Sequence, residues 1–136
     1  MVIILSGDDS DVLREMSLRL NLGNERLAMI FKNWQIEAIR YLLRIQPEGA
    51  NSRAVWTNVN KGYNESISRA SIINFLNNMV DERLLDYEDA TGKGGHHRVY
   101  SIRFTEQEFN IHIVARIISK LLKEYPKATR TALQSI

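Results

Sequence analysis

The sequence predicts a mainly α-helical chain with a small β-hairpin, an α+β fold. Three observations predict it. Residues 33–46 and 68–80 carry apolar side chains at the three- and four-residue steps of amphipathic helices. Asp89–Gly95 holds three glycines and no large apolar residue, between short stretches of strand character at Leu85–Glu88 and Arg98–Ile102. Thr105-Glu106-Gln107-Glu108 is a capping box that opens a further, long apolar-striped helix.

A length of 136 residues fits one domain with a modest core. Apolar residues at 44% and charged residues at 25% are ordinary for a soluble globular protein. The net charge of +2 announces no large basic field, so charge at a local contact face has to decide any nucleic-acid role. Cysteine is absent, which excludes disulfides and thiolate metal sites. Met1–Leu5 is apolar but too short for a signal segment or a membrane span. The expectation is a cytoplasmic protein with no membrane contact.

Residues 1–31 read as an N-terminal helical extension. Asp8, Asp9, Ser10 or Asp11 caps a helix to about Leu20, Asn21 and Gly23 break it, and Glu25–Phe31 forms a second piece. Acids at a helix start complement the helix dipole, a simpler reading than a metal cluster. Residues 32–104 form the central unit. Its first helix starts at Asn33, buries Trp34, Ile36, Ala38, Ile39, Leu42 and Leu43, and stops before Pro47-Glu48-Gly49. A very short strand is expected near Asn51. A second helix, capped by Asn51 or Ser52, turns Ala54, Val55 and Val59 inward, and Lys61, Gly62 and Asn64 form the next loop.

Ser68 caps the third helix. Ile72, Ile73, Phe75, Leu76, Met79 and Val80 form its apolar half, which Leu84 and Leu85 close. Ala70, Ser71, Asn74, Asn77 and Asn78 form the other half. Solvated helix faces are usually filled with Glu and Lys, the better helix formers. Small residues, hydroxyls and amides instead permit close approach and can hydrogen-bond base edges, Asn with adenine above all. The plainer alternative is that they decorate a solvated face.

A helix followed directly by a hairpin with a basic tip is the plan of a winged helix. Residues 33–102 resemble winged helix-turn-helix transcriptional regulators, through Trp34-x-Ile36-x-x-Ile39-x-x-Leu42-Leu43, Ile67-Ser68-Arg69-Ala70-Ser71-Ile72-Ile73-Asn74-Phe75-Leu76, then Val80, Leu84, Leu85 and Arg98-Val99-Tyr100. The order is similar to the penicillinase-repressor family, which includes the methicillin-resistance regulators. There S-x-x-T-[IV] opens the recognition helix and G-R-x-Y closes the wing. Here Ser71 stands in place of threonine, Ile73 in place of a polar residue and His97 in place of glycine. MarR-type regulators are the second resemblance. The resemblance implies a sequence-specific double-stranded DNA-binding regulator, a repressor, acting as a homodimer and not as an enzyme.

On this reading Ser68, Arg69, Ser71 and Asn74 reach base edges or flanking phosphates, and Ala70 permits close approach or meets a thymine methyl. Ser52, Arg53 and Lys61 hold the DNA backbone, and Lys93, His97 and Arg98 make the wing contact. Residues 105–126 form a dimerisation helix. Phe109, Ile113, Ile117 and Leu121, with Ile111, Val114, Ile118 and Leu122, give it more apolar surface than the core needs. The expected interface is Phe109, Ile113, Val114, Ile117, Ile118, Leu121 and Leu122, with packing on the N-terminal segment of the same chain as the alternative. A two-fold dimer matches a palindromic operator. Residues 127–136 read as a tail.

Gly92-Lys93-Gly94-Gly95 echoes a phosphate loop but lacks its spacing and the helix that should follow. His96 and His97 are adjacent in a strand and point to opposite faces, a poor pair for one metal. His112 falls on the last helix as a surface or interface residue. No triad or carboxylate pair stands in a catalytic context, so no catalytic residue, metal or cofactor is assigned. A rival reading is a winged-helix protein-interaction module without DNA binding, favoured by the small net charge. A third is a sensor with a pocket for an effector of unidentified chemistry.

Overall fold

The computed structural model describes residues 20–61, 66–92 and 95–136. A 3₁₀ turn at Arg26–Met29 precedes α1 (Asn33–Ile45), β1 (Ala50–Asn51), α2 (Ser52–Asn60), α3 (Arg69–Asp81), β2 (Asp86–Gly92), β3 (Gly95–Ser101), α4 (Glu106–Glu124) and α5 (Pro126–Ser135). The strands form one antiparallel sheet in the order β1-β3-β2. What the sequence predicts for residues 1–19 lies outside the described residues.

Local chemistry places the helix starts. The Asn51 Oδ1 accepts the Ala54 N–H (2.9 Å), and the Ser68 Oγ accepts the Ser71 N–H (3.1 Å). Thr105 and Glu108 make the reciprocal capping box, and the Thr105 backbone N–H holds the Glu108 carboxyl below its usual range. The end of α3 follows a different rule. Arg83 adopts φ 62°, its N–H bonds Val80 O (2.9 Å), and the Leu84 N–H bonds Met79 O (2.9 Å). That is a Schellman ending built without glycine.

The core joins Ile36, Ile39 and Leu42 of α1, Val55 and Val59 of α2, Ile72, Phe75, Leu76 and Met79 of α3, and Leu84, Leu85, Tyr100 and Ile102. Phe75 meets the edges of Trp34 (5.4 Å) and Phe31 (6.1 Å), so the segment before α1 belongs to the same core. Gly49 enters β1 so close to β3 that an added Cβ would lie 2.8 Å from Tyr100 O. Gly49→Ala is therefore expected to lower stability by about 1–3 kcal/mol, read by urea unfolding.

Three expectations are corrected. The strands run further than the glycines suggest: Ala90 pairs His97, Thr91 pairs His96 and Gly92 pairs Gly95, so the ladder consumes most of the predicted turn. Residues 127–136 are no tail. Pro126 opens α5 at a position that needs no N–H, and the buried Thr129 hydroxyl donates to Leu121 O (3.0 Å). Phe109 and Ile113 are not interface residues but buried core, with Ile117 half-buried against them. Ile118 and Leu122 are half-buried too, whereas Ile111, Val114 and Leu121 are exposed.

α4 also carries Arg116, buried against Glu82, the residue that ends α3. One turn earlier, His112 packs on the Phe104 ring (4.1 Å), and its Nε2 is buried with no hydrogen-bond partner among the described residues. Burial pushes the His112 imidazole below its ordinary range; Glu108 opposes this and Arg116 adds to it. The folded state thus favours the neutral ring. Its stability contribution is complete above the ordinary histidine pKa of about 6.5 and is lost as pH falls through the lowered folded value. His112→Gln should flatten the acid limb of an unfolding-free-energy profile measured against pH.

Among the described residues no helix is long and apolar enough to cross a membrane, and no group of three or more His, Asp or Glu is placed to hold a metal ion.

Candidate nucleic-acid interface

The start of α3 is anchored by side chains that sequence reading passes over. The Asn60 Oδ1 accepts the Ile67 N–H (2.7 Å), and its Nδ2 donates to Ile67 O (3.2 Å) and Trp56 O (3.0 Å). The Trp56 indole N–H also donates to Ile67 O (2.7 Å). Both backbone polar groups of the residue before the Ser68 cap are therefore held by α2. An amide and an indole on a helix are common enough that nothing in the sequence marks them for this task.

Along α3, Ala70, Asn74 and Asn77 follow at steps of four and three and share one stripe. The structure splits that stripe. Ser68, Arg69, Ala70, Ser71 and Asn74 are exposed. Asn77 is half-buried beneath the β2–β3 hairpin, where its Oδ1 accepts from the Tyr100 hydroxyl (2.6 Å) and from Arg98 Nη1 (3.1 Å). The Arg98 guanidinium also lies over the Tyr87 ring, 3.9 Å from its centre. Burial pushes the Tyr100 phenol up against the opposing pull of Arg98, which keeps it a proton donor toward Asn77. The first turns of α3 are left open, and the hairpin covers the later ones.

The register decides the two histidines. Arg98 and Tyr100 meet α3, so His96, in phase with them, shares the α3 side of the hairpin. His97 takes the opposite side, together with Glu88 and Arg103, which pair at 4.0 Å. Lys93 lies outside the described residues. Ser52 sits beside the start of α3, its Oγ accepting from Arg69 Nη2 (3.3 Å). Arg53 and Lys61 line an open cleft of about 410 Å³ with Tyr41, Asn51, Ala54, Thr57 and Asn58, and among the described residues no carboxylate takes part. The acids gather elsewhere, with Asp86, Glu88 and Asp89 exposed on β2.

No protein-family model matches the sequence, and no curated protein does. A similar solved structure is that of a "possible transcriptional regulator" from Methanosarcina mazei Go1, at 10% identity and a TM-score of 0.51, covering 77% of this chain and 78% of that one. At that identity the likeness speaks for the fold. The chain has the winged-helix fold. In its terms α2 and α3 are the helix-turn-helix and β2–β3 is the wing. The wing stands over the C-terminal half of α3 and leaves the N-terminal half free. That half carries one cation, two hydroxyls and one amide, all exposed.

Proposed function

We propose that the chain is a sequence-specific double-stranded DNA-binding transcriptional regulator, a repressor that occludes a promoter as a homodimer on a palindromic operator. The observation that carries this is the open N-terminal half of α3, with Arg69, Ala70, Ser71 and Asn74 outward and the wing alongside. Recognition helices read base edges with their N-terminal residues. Ser68 and Ser71 bond each other (2.9 Å), which shapes the helix start while Arg69 and Asn74 keep free donors for the groove. Arg53 and Lys61 supply backbone contacts from the cleft they line, and Lys93 and Arg98 belong to the wing contact. The phase of the strands favours His96 as a further member of that contact and sets His97 on the wing's outer side. The similarity to the penicillinase-repressor pattern favours repression. Ile111, Val114 and Leu121, exposed on α4, provide the dimer contact.

Each good base contact is worth about 1–3 kcal/mol of discrimination. Arg69→Ala with Asn74→Ala should therefore cost at least about tenfold in preference for the bound sequence over random duplex. Competition gel shifts measure this, and an unchanged preference overturns the groove assignment.

One observation favours the interaction-module reading: the acidic β2 strand, which repels phosphates. Retention on duplex DNA at low salt, released by added salt, separates the two readings.

A further inference from the structure

We propose that Asn77, with Tyr100 as its donor, is a positioning residue that locks the wing to the recognition helix so that helix and wing engage DNA as one coupled unit. The inference rests on the DNA-binding reading. β1 pairs with β3 only at Val99 and Tyr100, so from Arg98 outward the wing is a bare two-stranded ribbon. Such a ribbon is marginally ordered on its own in water. The Asn77 bonds stand where the third strand ends. Asn77 Oδ1 offers two lone pairs, and the wing fills both, one from Tyr100 (2.6 Å) and one from Arg98 (3.1 Å). Arg98 is held from its other side by the Tyr87 ring (3.9 Å). Half-burial shields these bonds from competing water. Asn77 thus resembles Asn74 chemically but spends its amide oxygen inside the protein. Arg98 serves this anchor as well as the wing contact, and Thr91 and His96 lie further out on the same face.

The test is a cycle between protein and DNA. The duplex recovered by selection from a random library is compared with the same duplex trimmed of the flank beyond the recognition-helix contact. Wild-type protein should lose about tenfold in affinity on trimming, the size of one contact to a charged group. Asn77→Ala should be weaker by about that factor on the full duplex, lose little on trimming, and show a shallower dependence on salt. Asn77→Asp keeps the acceptor and should keep the trimming penalty whatever its added charge does to overall affinity. Tyr100→Phe leaves the ring in the core and carries the same comparison if Asn77→Ala fails to fold. An equal trimming penalty in wild type and in the folded variants overturns the clamp. A wild type that loses nothing on trimming also overturns it, while leaving the recognition helix in place. If wild type binds no duplex above background, the DNA-binding reading itself fails and the clamp with it.

Discussion

Arg116→Ala is expected to lower the free energy of unfolding by about 3–5 kcal/mol, the cost of leaving a buried charge without its partner. Small domains are stable by about 5–15 kcal/mol, so this change removes from about a fifth of the margin to all of it. The geometry behind it is specific. Glu82 and Arg116 are 1% and 4% exposed and pair directly. Glu82 ends α3, and Arg116 lies in the middle of α4, so the pair joins α3 to the long helix α4. Buried pairs are costly to desolvate, which is why both partners replaced together behave differently from one. Glu82→Leu with Arg116→Met, an apolar pair of similar volume, should recover most of the loss. Urea unfolding of the single and double variants reads the difference. Single variants within about 0.5 kcal/mol of wild type would show that the pair contributes no more than an ordinary surface site.

Phe109→Ala should cost about 3–5 kcal/mol, as expected for emptying a filled aromatic site in a packed core. Phe109 is fully buried among the core side chains, so the loss should not depend on protein concentration. Val114→Glu gives the complementary result. Val114 is 53% exposed on the same helix, so unfolding of the monomer should change little while the proposed dimer should dissociate in sedimentation. A stability loss for Phe109→Ala that vanished at high concentration would return Phe109 to the interface.

The pair of variants marks how far the sequence can be read. The capping box at Thr105 and the caps at Asn51 and Ser68 are local chemistry, and they place three helix starts within a residue. The apolar periods of α1 and α3 identify their buried faces. Periodicity on α4 shows that Phe109, Ile113, Val114 and Leu121 are apolar, but it does not divide them between the chain's own core and a partner. That division depends on how α4 packs against the core and the end of α3. Asn74 and Asn77 are the same residue type on one stripe, and only the tertiary position of the wing separates them. His96 and His97 show the same limit, because a one-residue shift of register exchanges their faces. Glu82 stands in an Asp-Glu-Arg run that reads as a solvated turn, and its burial depends on an arginine over thirty positions away. The end of α3 carries no glycine, since Arg83 takes the left-handed conformation itself. The helix at residues 126–135 was hidden by Pro126, which serves equally as a stop for one helix and as the first residue of the next.

Selection of bound duplexes from a random library asks whether the exposed start of α3 reads a DNA sequence. Wild-type protein should enrich a palindrome with half-sites about one helical turn apart, or a multiple of it. This enrichment should disappear for Arg69→Ala with Asn74→Ala. A library that emerges from repeated selection with wild-type protein as random as it began would rule out a sequence-specific regulator.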